Sequence, residues 1–439
     1  MAQTSSSFKR SHYSTEITEK IQGKIVTILG WVENIRDLGK IQFITLRDKK
    51  GQIQITIPKK EINEDIINKA KSIKKQFVLR IDGLVKISKE APCGVEIIPS
   101  SIEIVAESKQ PLPLDPTGKM PADLDVRLDE RILDLRRPEC RAIFNIKNET
   151  LKSIRNYFVQ HDYVEIQTPR IIGAAAEGGA TLFSLDYFDN KAHLAQSPQL
   201  YKEELITVYE KVYEIGPFFR AEKSHTRRHL SEFISIDMEE AFTTSSDVMN
   251  VQEELVAQAV RDVKKNCENE LKILGSKLDN PQLPFKRYSY SDIIEQLSKI
   301  GFKIKWGEDL TTEACRELGK LHKEEFYFIT DWPISTRPFY IKPNEADPKI
   351  SLAFDFMYEW IEITSGGSRV DSKDYLLQRL KEQGLDPKAF DFHLKIFDYG
   401  MPPHAGWGMG LDRFIMVLSG KMNLRDVVLF PRDRTRLKP

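Results

Sequence analysis

Short runs in which apolar and polar residues alternate occupy the first part of the chain. The β-rich runs are residues 23–32, 40–48, 51–57, 77–87 and 94–105. Ile53, Ile55 and Ile57 alternate with polar residues, and a turn that ends at Gly51 precedes them, which predicts a β-hairpin. Residues 59–76, between the third and the fourth run, have the apolar spacing of a helix.

Five strands with a helix after the third strand are the elements of an OB-fold β-barrel, and such barrels commonly bind single-stranded nucleic acid. Phe43 and Gln54 are predicted to lie on neighbouring strands of this barrel. There an aromatic ring can stack on an unpaired base and an amide can hydrogen-bond to its edge. The alternative is a surface Phe that is partly covered by nearby Lys side chains.

Charge is unevenly distributed along the chain. The whole chain has 65 Lys and Arg and 65 Asp and Glu, hence no net charge. Residues 1–110 carry 19 Lys and Arg against 13 Asp and Glu, so this part has a net charge of +6 and the remainder −6. A basic domain before an acidic one suggests an anionic partner such as nucleic acid, but many Lys-rich small domains bind none.

A Pro-rich stretch separates the first domain, residues 1–106, from the rest. Residues 107–138 contain five Pro and are predicted to be a hinge or linker. In residues 139–439, helical spacing of apolar residues predicts a helix over 139–161. Strands are predicted at 211–222, 232–242, 325–333 and 338–343. Because strands and helices do not alternate strictly, we predict an α+β domain with an antiparallel sheet flanked by helices.

Residues 219–233 form a dense cluster of cations. The cluster contains four Lys or Arg, two His and two Glu, with a Phe at each end. It favours binding of a polyanion such as phosphate, and a salt-bridged hairpin is the open alternative. Residues 406–413 (GWGMGLDR) do not fit G-x-G-x-x-G, and no G-x-x-x-x-G-K-[ST] occurs. His225 and His229 have zincin spacing, but Thr226 replaces the Glu, which excludes a metalloprotease.

The composition also excludes several classes of protein. No run approaches eighteen apolar residues, so no transmembrane helix is expected, and the first eighteen residues lack the apolar segment of a secretory signal. The four Cys stand far apart without a C-x-x-C motif, which argues against zinc knuckles and a disulfide framework. These features predict a cytoplasmic protein with no membrane partner.

Three segments of the second domain resemble the motifs of class II aminoacyl-tRNA synthetases. Residues 163–172 (YVEIQTPRII) resemble motif 1, and residues 216–242, which begin GPFFRAE and end IDMEEAF, resemble motif 2. Residues 406–413 with the tail LFPRDRTRLKP resemble motif 3, and residues 177–203 are similar to aspartyl-tRNA synthetases of the archaeal and eukaryotic type. The resemblance covers essentially the whole chain and implies an aspartate–tRNA ligase that uses ATP, L-aspartate and tRNA.

The resemblance implies a role for the cationic cluster. Amino-acid activation is an in-line attack of a carboxylate on the α-phosphate of ATP, so catalysis depends on orienting two anions and neutralising charge. Arg220 would bridge both anions with its planar guanidinium, and Arg413 would cover one face of adenine. The other implied ATP contacts are Glu222 to the adenine amino group, Arg228 and His229 to the β- and γ-phosphates, and Phe233 to the second face of adenine.

Mg²⁺ is expected to bridge the phosphates. Asp355, Glu362 and Ser365 offer oxygen ligands suited to this hard cation. Asp355 and Glu362 are seven positions apart and would face opposite sides of a straight strand. To share an ion, the run must fold as a hairpin around residues 358–360, a turn without Gly. Acidic residues on a solvated strand are the alternative.

Selection of aspartate requires fixed cations opposite its second carboxylate, and by resemblance these are Lys202 and Arg369. The other residues that the resemblance assigns to aspartate are Glu177, Ser197, Gln199 and Asp237 around the α-amino end, together with Arg220 and Ser365. Asparaginyl relatives usually have Gly and Leu where this chain has Pro198 and Lys202. Lys202 therefore favours aspartate, because a cation buried opposite a neutral carboxamide stays unpaired.

For tRNA, Phe43 and Gln54 match the anticodon-stacking and base-reading positions of the family. Pro92 occupies a loop near the third anticodon base by resemblance. Members with Pro there tend to charge both tRNA-Asp and tRNA-Asn, and a plain turn proline is the alternative. Motif 1 normally builds a two-fold interface, so a homodimer is expected through the helix over 139–161 and Pro169.

Three alternatives remain open at this point. The first is an asparaginyl-tRNA synthetase, and the second is a catalytically silent paralogue that binds tRNA or a protein partner. The third is a tRNA-independent amide-forming relative. The presence of Arg220, Glu362 and Arg413 argues against the silent paralogue. The anticodon barrel argues against the amide-forming relative, which lacks that domain.

Overall fold

The structure is a computed structural model of the 439-residue chain, and it describes residues 8–173, 182–221 and 229–439. The chain divides into two compact units, Met1–Ala122 and Asp123–Pro439. The stretch 107–138, predicted to be a linker, is divided between them. Its first part belongs to the first unit, and residues 123–138 form two short helices and the start of a long one.

The first unit contains the five predicted strands and the predicted helix. Their bounds are β1 Ile25–Asp37, β2 Ile41–Arg47, β3 Gln52–Pro58, α1 Glu64–Ser72, β4 Val78–Ile87 and β5 Val95–Ala106. The strands close into a barrel in the order β1-β2-β3-β5-β4, with β3 and β5 parallel and the other pairs antiparallel. The predicted OB-fold is confirmed.

Alternation of apolar residues along the strands builds the core of the barrel. Ile44, Ile55 and Ile81 are fully buried in it, since every second side chain of a strand points inward. α1 adds Ile66 and Ala70 to the same core. The helix begins where the Asn63 side chain accepts a hydrogen bond from the main-chain N of Asp65 at 2.8 Å, which satisfies one of the free amide groups of its first turn.

The second unit combines helices with a large sheet. Its helices are α2 Leu124–Asp129, α3 Arg131–Asp134, α4 Pro138–Gln160, α5 Gln199–Tyr209, α6 Ser245–Asn266, α7 Glu268–Leu274, α8 Tyr290–Lys299, α9 Thr312–Leu321, α10 Lys373–Glu382, α11 Asp391–Phe397, α12 Leu411–Ser419 and α13 Leu424–Val427. Its strands are β6 Val164–Glu165, β7 Ile171–Ile172, β8 Ser184–Tyr187, β9 Asn190–Leu194, β10 Lys211–Phe219, β11 Glu232–Ala241, β12 Lys286–Ser289, β13 Phe326–Thr330, β14 Ala353–Tyr358, β15 Ile361–Ser368 and β16 His404–Gly410.

Within the described residues, eight of these strands form one sheet in the order β12-β13-β14-β15-β16-β11-β10-β6. Neighbours are antiparallel except for the parallel pairs β12–β13 and β10–β6 at the two edges. β7, β9 and β8 form a small separate sheet. The predicted α+β class with an antiparallel sheet flanked by helices is confirmed.

α4 matches the predicted helix over 139–161 and begins with Pro138, which suits a first helical position because its missing N–H is not needed there. Its buried stripe packs on the sheet, where the ring of Phe158 stacks on Tyr213 of β10 with centroids 4.3 Å apart. Trp407 of β16 is fully buried and donates from Nε1 to the carbonyl oxygen of Val248 in α6 at 3.1 Å. Helices therefore cover one face of the sheet.

The predicted strand over 338–343 is wrong. This segment contains no strand and pairs only through isolated bridges, Ile341 with Arg369 and Pro343 with Ser351. Pro338 and Pro343 have no N–H to donate to a ladder, which explains the interruption. Among the helices of the described ranges, none is long and apolar enough to cross a membrane.

Candidate active site

A cavity of about 330 Å³ lies on the face of the large sheet opposite α4 and α6. Ile236 and Met238 of β11 point into the helical core, so Asp237 between them points to the other face and lines the cavity. The sequence-predicted residues that line it are Ser197, Gln199, Arg220, His229, Phe233, Asp237, Glu362, Ser365, Arg369 and Arg413. Segments far apart in sequence thus meet at one site.

Five of the residues predicted for ATP, aspartate or Mg²⁺ are not in this lining. Lys202 and Asp355 are buried beside the cavity, 1% and 5% exposed. Glu177, Glu222 and Arg228 lie outside the described residues.

Arg220 follows β10 and is anchored by the hairpin that β10 forms with β11. Its main-chain N donates to the carbonyl oxygen of Ser231 at 3.0 Å. Its guanidinium carbon lies 5.3 Å from the centroid of the Phe233 ring, within the range of a cation–π contact. The buried Nε of Arg220 has no hydrogen-bond partner in the described part of the chain. Arg220 also lines the cavity, so a ligand bound there can contact its guanidinium.

Arg413 stands in the first turn of α12 and reaches across to β15. Its Nη1 donates to the main-chain carbonyl oxygen of Glu362 at 2.9 Å and lies 3.3 Å from the Oε1 atom of the same residue. Both side chains remain accessible, with 26% and 49% of the Arg413 and Glu362 side chains exposed. The contact holds one terminal nitrogen of the Arg413 guanidinium, and the side chain still lines the cavity.

The β14–β15 hairpin brings three oxygen-bearing side chains together. Its turn contains no Gly, and Glu359 adopts the left-handed conformation at φ 50°. Phe356 pairs with Thr364 but Met357 pairs with Glu362, so the residue between them on β15 is a one-residue bulge. In a regular ladder Glu362 would lie on the face opposite Asp355, and the bulge moves it to the same face. Asp355, Glu362 and Ser365 consequently share one face of the sheet, as the prediction of a joint site requires.

We call Asp355, Glu362 and Ser365 the acidic corner. A cation, Arg337, is paired with one of its two carboxylates, that of Asp355. Arg337 donates to both carboxylate oxygens of Asp355, at 3.0 and 3.3 Å. Burial raises the pKa of Asp355 to about 6, the Arg337 charge opposes that rise, and the charge of Glu362 adds to it. The two carboxylates thus lie close enough to repel each other, and a divalent cation between them would relieve the repulsion.

The donor set of the acidic corner fits Mg²⁺. It consists of carboxylate and hydroxyl oxygens, and Mg²⁺ in nucleotide sites is typically held by one or two carboxylates together with phosphate oxygens. The described residues contain no group of three or more His, Cys, Asp or Glu side chains that could hold a metal ion.

Behind Asp237 lies a buried group of alternating charges. Lys202 Nζ lies 3.3 Å from Asp237 Oδ1 and 3.2 Å from Glu239 Oε2, and it also donates to the carbonyl oxygens of Met238 and Trp407 at 3.2 and 3.1 Å. Arg369 donates to the other side of Glu239, from Nε at 2.8 Å. Two cations and two carboxylates thus compensate each other, and each of the four side chains is 4% exposed or less.

Two glycines of the motif 3 segment make room for these carboxylates. A Cβ atom on Gly408 would lie 2.8 Å from Asp237 Oδ1, and one on Gly406 would collide with the carboxylate of Glu239. Any side chain at these positions would displace an acid that holds Lys202. The glycines of GWGMG therefore leave space for the two buried carboxylates, and this explains their spacing without a phosphate-binding loop.

Three residues of the site were missed at the sequence level. Glu239 lies on the same face of β11 as Asp237, so strand alternation alone could have indicated it. Arg337 lies in an irregular loop, where it stacks on Trp332 at 4.0 Å and lines the cavity. Gln196 is 1% exposed, lines the cavity, and neither its Oε1 nor its Nε2 atom has a hydrogen-bond partner in the described chain. Such unpaired buried atoms indicate a position that a ligand completes.

In the first unit, Phe43 pairs with Thr56 across β2 and β3, and Gln54 lies two positions before Thr56. Phe43 and Gln54 are therefore diagonal neighbours on one face of the barrel. Gln54 donates from Nε2 to Glu96 Oε2 at 3.2 Å, which fixes the amide. Pro92 lies exposed in the turn between β4 and β5, as the predicted loop requires.

Comparisons with known proteins agree with this architecture. The profile described as "tRNA synthetases class II (D, K and N)" matches residues 123–434, and "OB-fold nucleic acid binding domain" matches residues 26–107. Aspartate–tRNA(Asp/Asn) ligase of Methanothermobacter thermautotrophicus is 48% identical over 432 residues, covering 98% of this chain and 99% of the relative. Aspartate–tRNA(Asp) ligase of Pyrococcus abyssi is 46% identical over 436 residues, covering 98% and 100%.

A solved structure also aligns over nearly the whole chain. Asparaginyl-tRNA synthetase from Pyrococcus horikoshii, complexed with asparaginyl-adenylate, superposes with a TM-score of 0.93 at 35% identity and covers 98% of this chain and 100% of its own. The resemblance drawn from the three motifs is confirmed. This chain belongs to the class II tRNA synthetases of the D, K and N group.

Proposed function

We propose that the protein is an aspartate–tRNA ligase. It activates L-aspartate with ATP to form aspartyl-adenylate and pyrophosphate, and it transfers the aspartyl group to the 3′ end of tRNA-Asp. The observation that carries the proposal is the lining of one cavity by four arginines, beside the buried pair Lys202 and Glu239; the arginines are Arg220, Arg337, Arg369 and Arg413. The names of the relatives that are 46–48% identical over 98% of the chain support the same activity.

ATP would occupy the part of the cavity between Phe233 and Arg413. Adenine would stack on Phe233 on one side and on the Arg413 guanidinium on the other, since a delocalised cation binds well to an aromatic face. His229 lines the same region and would contact the β- and γ-phosphates. Glu222 and Arg228 complete the set proposed for adenine and phosphate.

Arg220 would carry the chemical step. The planar guanidinium can donate to an oxygen of the α-phosphate and to an oxygen of the substrate α-carboxylate at the same time. This arrangement holds nucleophile and phosphorus in line and offsets the repulsion between the two anions. No proton has to be moved by the protein, because the attacking group is already a carboxylate.

Mg²⁺ would be held by Glu362 and Ser365, with Asp355 behind them, and when bound it would neutralise charge on the phosphates. Asp355 and Arg337 hold each other in place at 3.0 Å, so the corner is shaped before the nucleotide arrives. Arg413 is fastened to the main chain of Glu362. The strand that carries Glu362 and Ser365 therefore also anchors Arg413, one of the residues proposed for adenine.

Aspartate would place its side-chain carboxylate against Arg369, with Lys202 supplying a second positive charge. Lys202 Nζ already has four oxygen neighbours, so a direct contact with the substrate requires one of them to be exchanged. The α-ammonium group would face Ser197, Gln199 and Asp237, with Glu177 closing over it.

The barrel of the first unit would bind the anticodon of tRNA. Phe43 would stack on an unpaired base and Gln54 would read its edge. With Pro92 in the β4–β5 turn, we propose that the protein charges tRNA-Asn as well as tRNA-Asp. Charging of purified tRNA-Asp and tRNA-Asn with aspartate, side by side, tests this point: aspartylation of tRNA-Asp alone would overturn it.

An asparagine-specific enzyme is the second candidate, because an asparaginyl-tRNA synthetase superposes with a TM-score of 0.93. The buried charge of Lys202 weighs against it. ATP–pyrophosphate exchange separates the two: aspartate is expected to drive exchange and asparagine is not. Exchange with asparagine alone would decide for the second candidate.

We further propose a cytoplasmic homodimer. α4 and the segment around Pro169 would form the two-fold interface, and the nearby Val159, Val164 and Ile171 are exposed apolar residues that such an interface would cover. All four Cys are free thiols, as a reducing compartment allows. Analytical ultracentrifugation tests the assembly, and a monomer at micromolar concentration would contradict it.

A further inference from the structure

A buried carboxylate stands directly behind the amide of Gln199. Glu203 lies one turn after Gln199 on α5 and is 1% exposed. Its Oε1 atom accepts a hydrogen bond from Gln199 Nε2 at 2.6 Å. Glu203 is absent from the cavity lining, whereas Gln199 is part of it. Glu203 therefore does not line the ligand cavity itself, and its hydrogen bond to the cavity lining is the one with Gln199.

Two imidazoles from other elements surround the second oxygen of Glu203. His393 of α11 and His404 of β16 approach Oε2 with their Nε2 atoms at 3.3 and 3.5 Å, and both rings are buried. Burial alone would raise the pKa of Glu203, but the two His side chains lower it below its ordinary value. The lowered pKa favours the ionised carboxylate, which accepts hydrogen bonds and donates none.

This fixes which way the Gln199 amide points. An amide has one donor end and one acceptor end, and a carboxylate can bind only the donor end. With Nε2 turned to Glu203, Oε1 is the end left for a ligand, and it accepts no hydrogen bond from the described residues. An acceptor suits an ammonium group, whereas the reversed amide would present N–H to N–H. The orientation therefore decides whether the pocket attracts or repels the amino group.

We propose that Glu203 is a positioning residue, which holds the Gln199 amide with its oxygen toward the α-ammonium group of the bound amino acid. The inference rests on the proposed function for the identity of that ligand. Polar pairs four residues apart can also serve only to stabilise a helix, but such pairs lie on the helix surface. Here three elements converge on a buried carboxylate, an arrangement that helix stability does not require.

The test is Glu203→Gln in the full-length protein, measured by ATP–pyrophosphate exchange. The new amide can donate to Gln199 Oε1 and so permits the reversed orientation. We expect KM for aspartate to rise about tenfold or more, with kcat and KM for ATP changed less than about twofold. Glu204→Gln is the matched control, because Glu204 also faces His393, at 3.4 Å, but does not touch Gln199. The control should keep the KM for aspartate of the unaltered protein.

Succinate, which has both carboxylates of aspartate but no ammonium group, separates positioning from general distortion. As an inhibitor it should bind the Glu203→Gln variant as well as the unaltered protein. Equal weakening of succinate and aspartate, or an unchanged KM for aspartate, would overturn the proposal. If Glu203→Gln does not fold, Glu203→Asp keeps the buried charge and withdraws it from Gln199, and the same criteria apply. If aspartate drives no exchange in the unaltered protein, the proposed function fails and not this inference.

Discussion

Arg413 contacts both the main chain and the side chain of Glu362, and the main-chain contact is the shorter one. The Arg413 Nη1 atom donates to the main-chain oxygen of Glu362 at 2.9 Å and lies 3.3 Å from its carboxylate. The shorter contact does not depend on the Glu362 side chain. The position of Arg413 and the charge of Glu362 can therefore be altered separately.

Glu362→Gln should separate the two roles. Loss of the carboxylate weakens the acidic corner for Mg²⁺, while the main-chain oxygen still holds Arg413. We expect the Mg²⁺ concentration for half-maximal exchange to rise about tenfold, the effect of about 1.4 kcal/mol. Binding of an ATP analogue without Mg²⁺ should stay unchanged. A loss of metal-free binding would show that Arg413 needs the side chain.

Arg413→Lys should damage ATP use although the charge is kept. Lys lacks the flat guanidinium that stacks on adenine and the fork that holds two oxygens. We expect kcat/KM for ATP in exchange to fall about 100-fold, with KM for aspartate little changed. Arg261→Lys, on the exposed side of α6, is the matched control and should behave like the unaltered protein. Equal activity of both variants would remove Arg413 from the site.

Lys202→Met should impair aspartate selectively. In the buried group Lys202 and Arg369 balance Asp237 and Glu239, so removal of one cation leaves a net negative charge where a carboxylate must bind. We expect kcat/KM for aspartate to fall by about 100-fold or more while KM for ATP stays within about twofold. Lys211→Met, on β10 outside the cavity, is the control. Equal loss for aspartate and ATP would contradict the assignment.

Phe43→Ala should weaken tRNA binding without touching activation. Removal of one stacking partner costs about 1–3 kcal/mol, so KM for tRNA should rise at least about fivefold. ATP–pyrophosphate exchange without tRNA should remain intact. Phe8→Ala changes a different aromatic of the first unit, which is 61% exposed, and should leave KM for tRNA unaltered. A fall in exchange for Phe43→Ala would indicate a folding defect instead.

The buried His393 predicts a pH window for stability. Burial alone would lower the pKa of His393, but Glu203 and Glu204 raise it to about 9 from 6.5. A raised pKa means that the stabilisation is fully present below about pH 6.5 and is lost as the pH rises through about 9. In urea unfolding, the unaltered protein should have a higher free energy of unfolding than His393→Gln, and this difference should vanish over this pH range. A difference that does not vary with pH would contradict a protonated His393.

The regular parts of the fold follow from the sequence because their signals are local. Alternation marks the barrel strands, and the buried stripe of α4 is periodic within one helix. The β14–β15 hairpin shows where such reasoning stops. A bulge of one residue, Ile363, and a left-handed Glu359 decide which acids share a face, and neither has a marker such as Gly.

The sequence indicated which residues belong to the site better than it indicated which of them contact each other. Lys202 of α5 was expected from a motif. Its neighbours Glu239 and Trp407 lie on β11 and β16, so these contacts depend on the order of strands in the sheet. Arg337 lies in an irregular loop and its distance from Asp355 is set by tertiary packing. Pairings of this kind require the fold before they can be inferred.

The most direct test of the central claim is a crystal structure of the protein bound to Mg²⁺ and a non-hydrolysable ATP analogue. We expect adenine between Phe233 and Arg413, with the α-phosphate on the Arg220 guanidinium. A nucleotide bound elsewhere, with Arg220 and Arg413 both turned away from it, would contradict the proposed function.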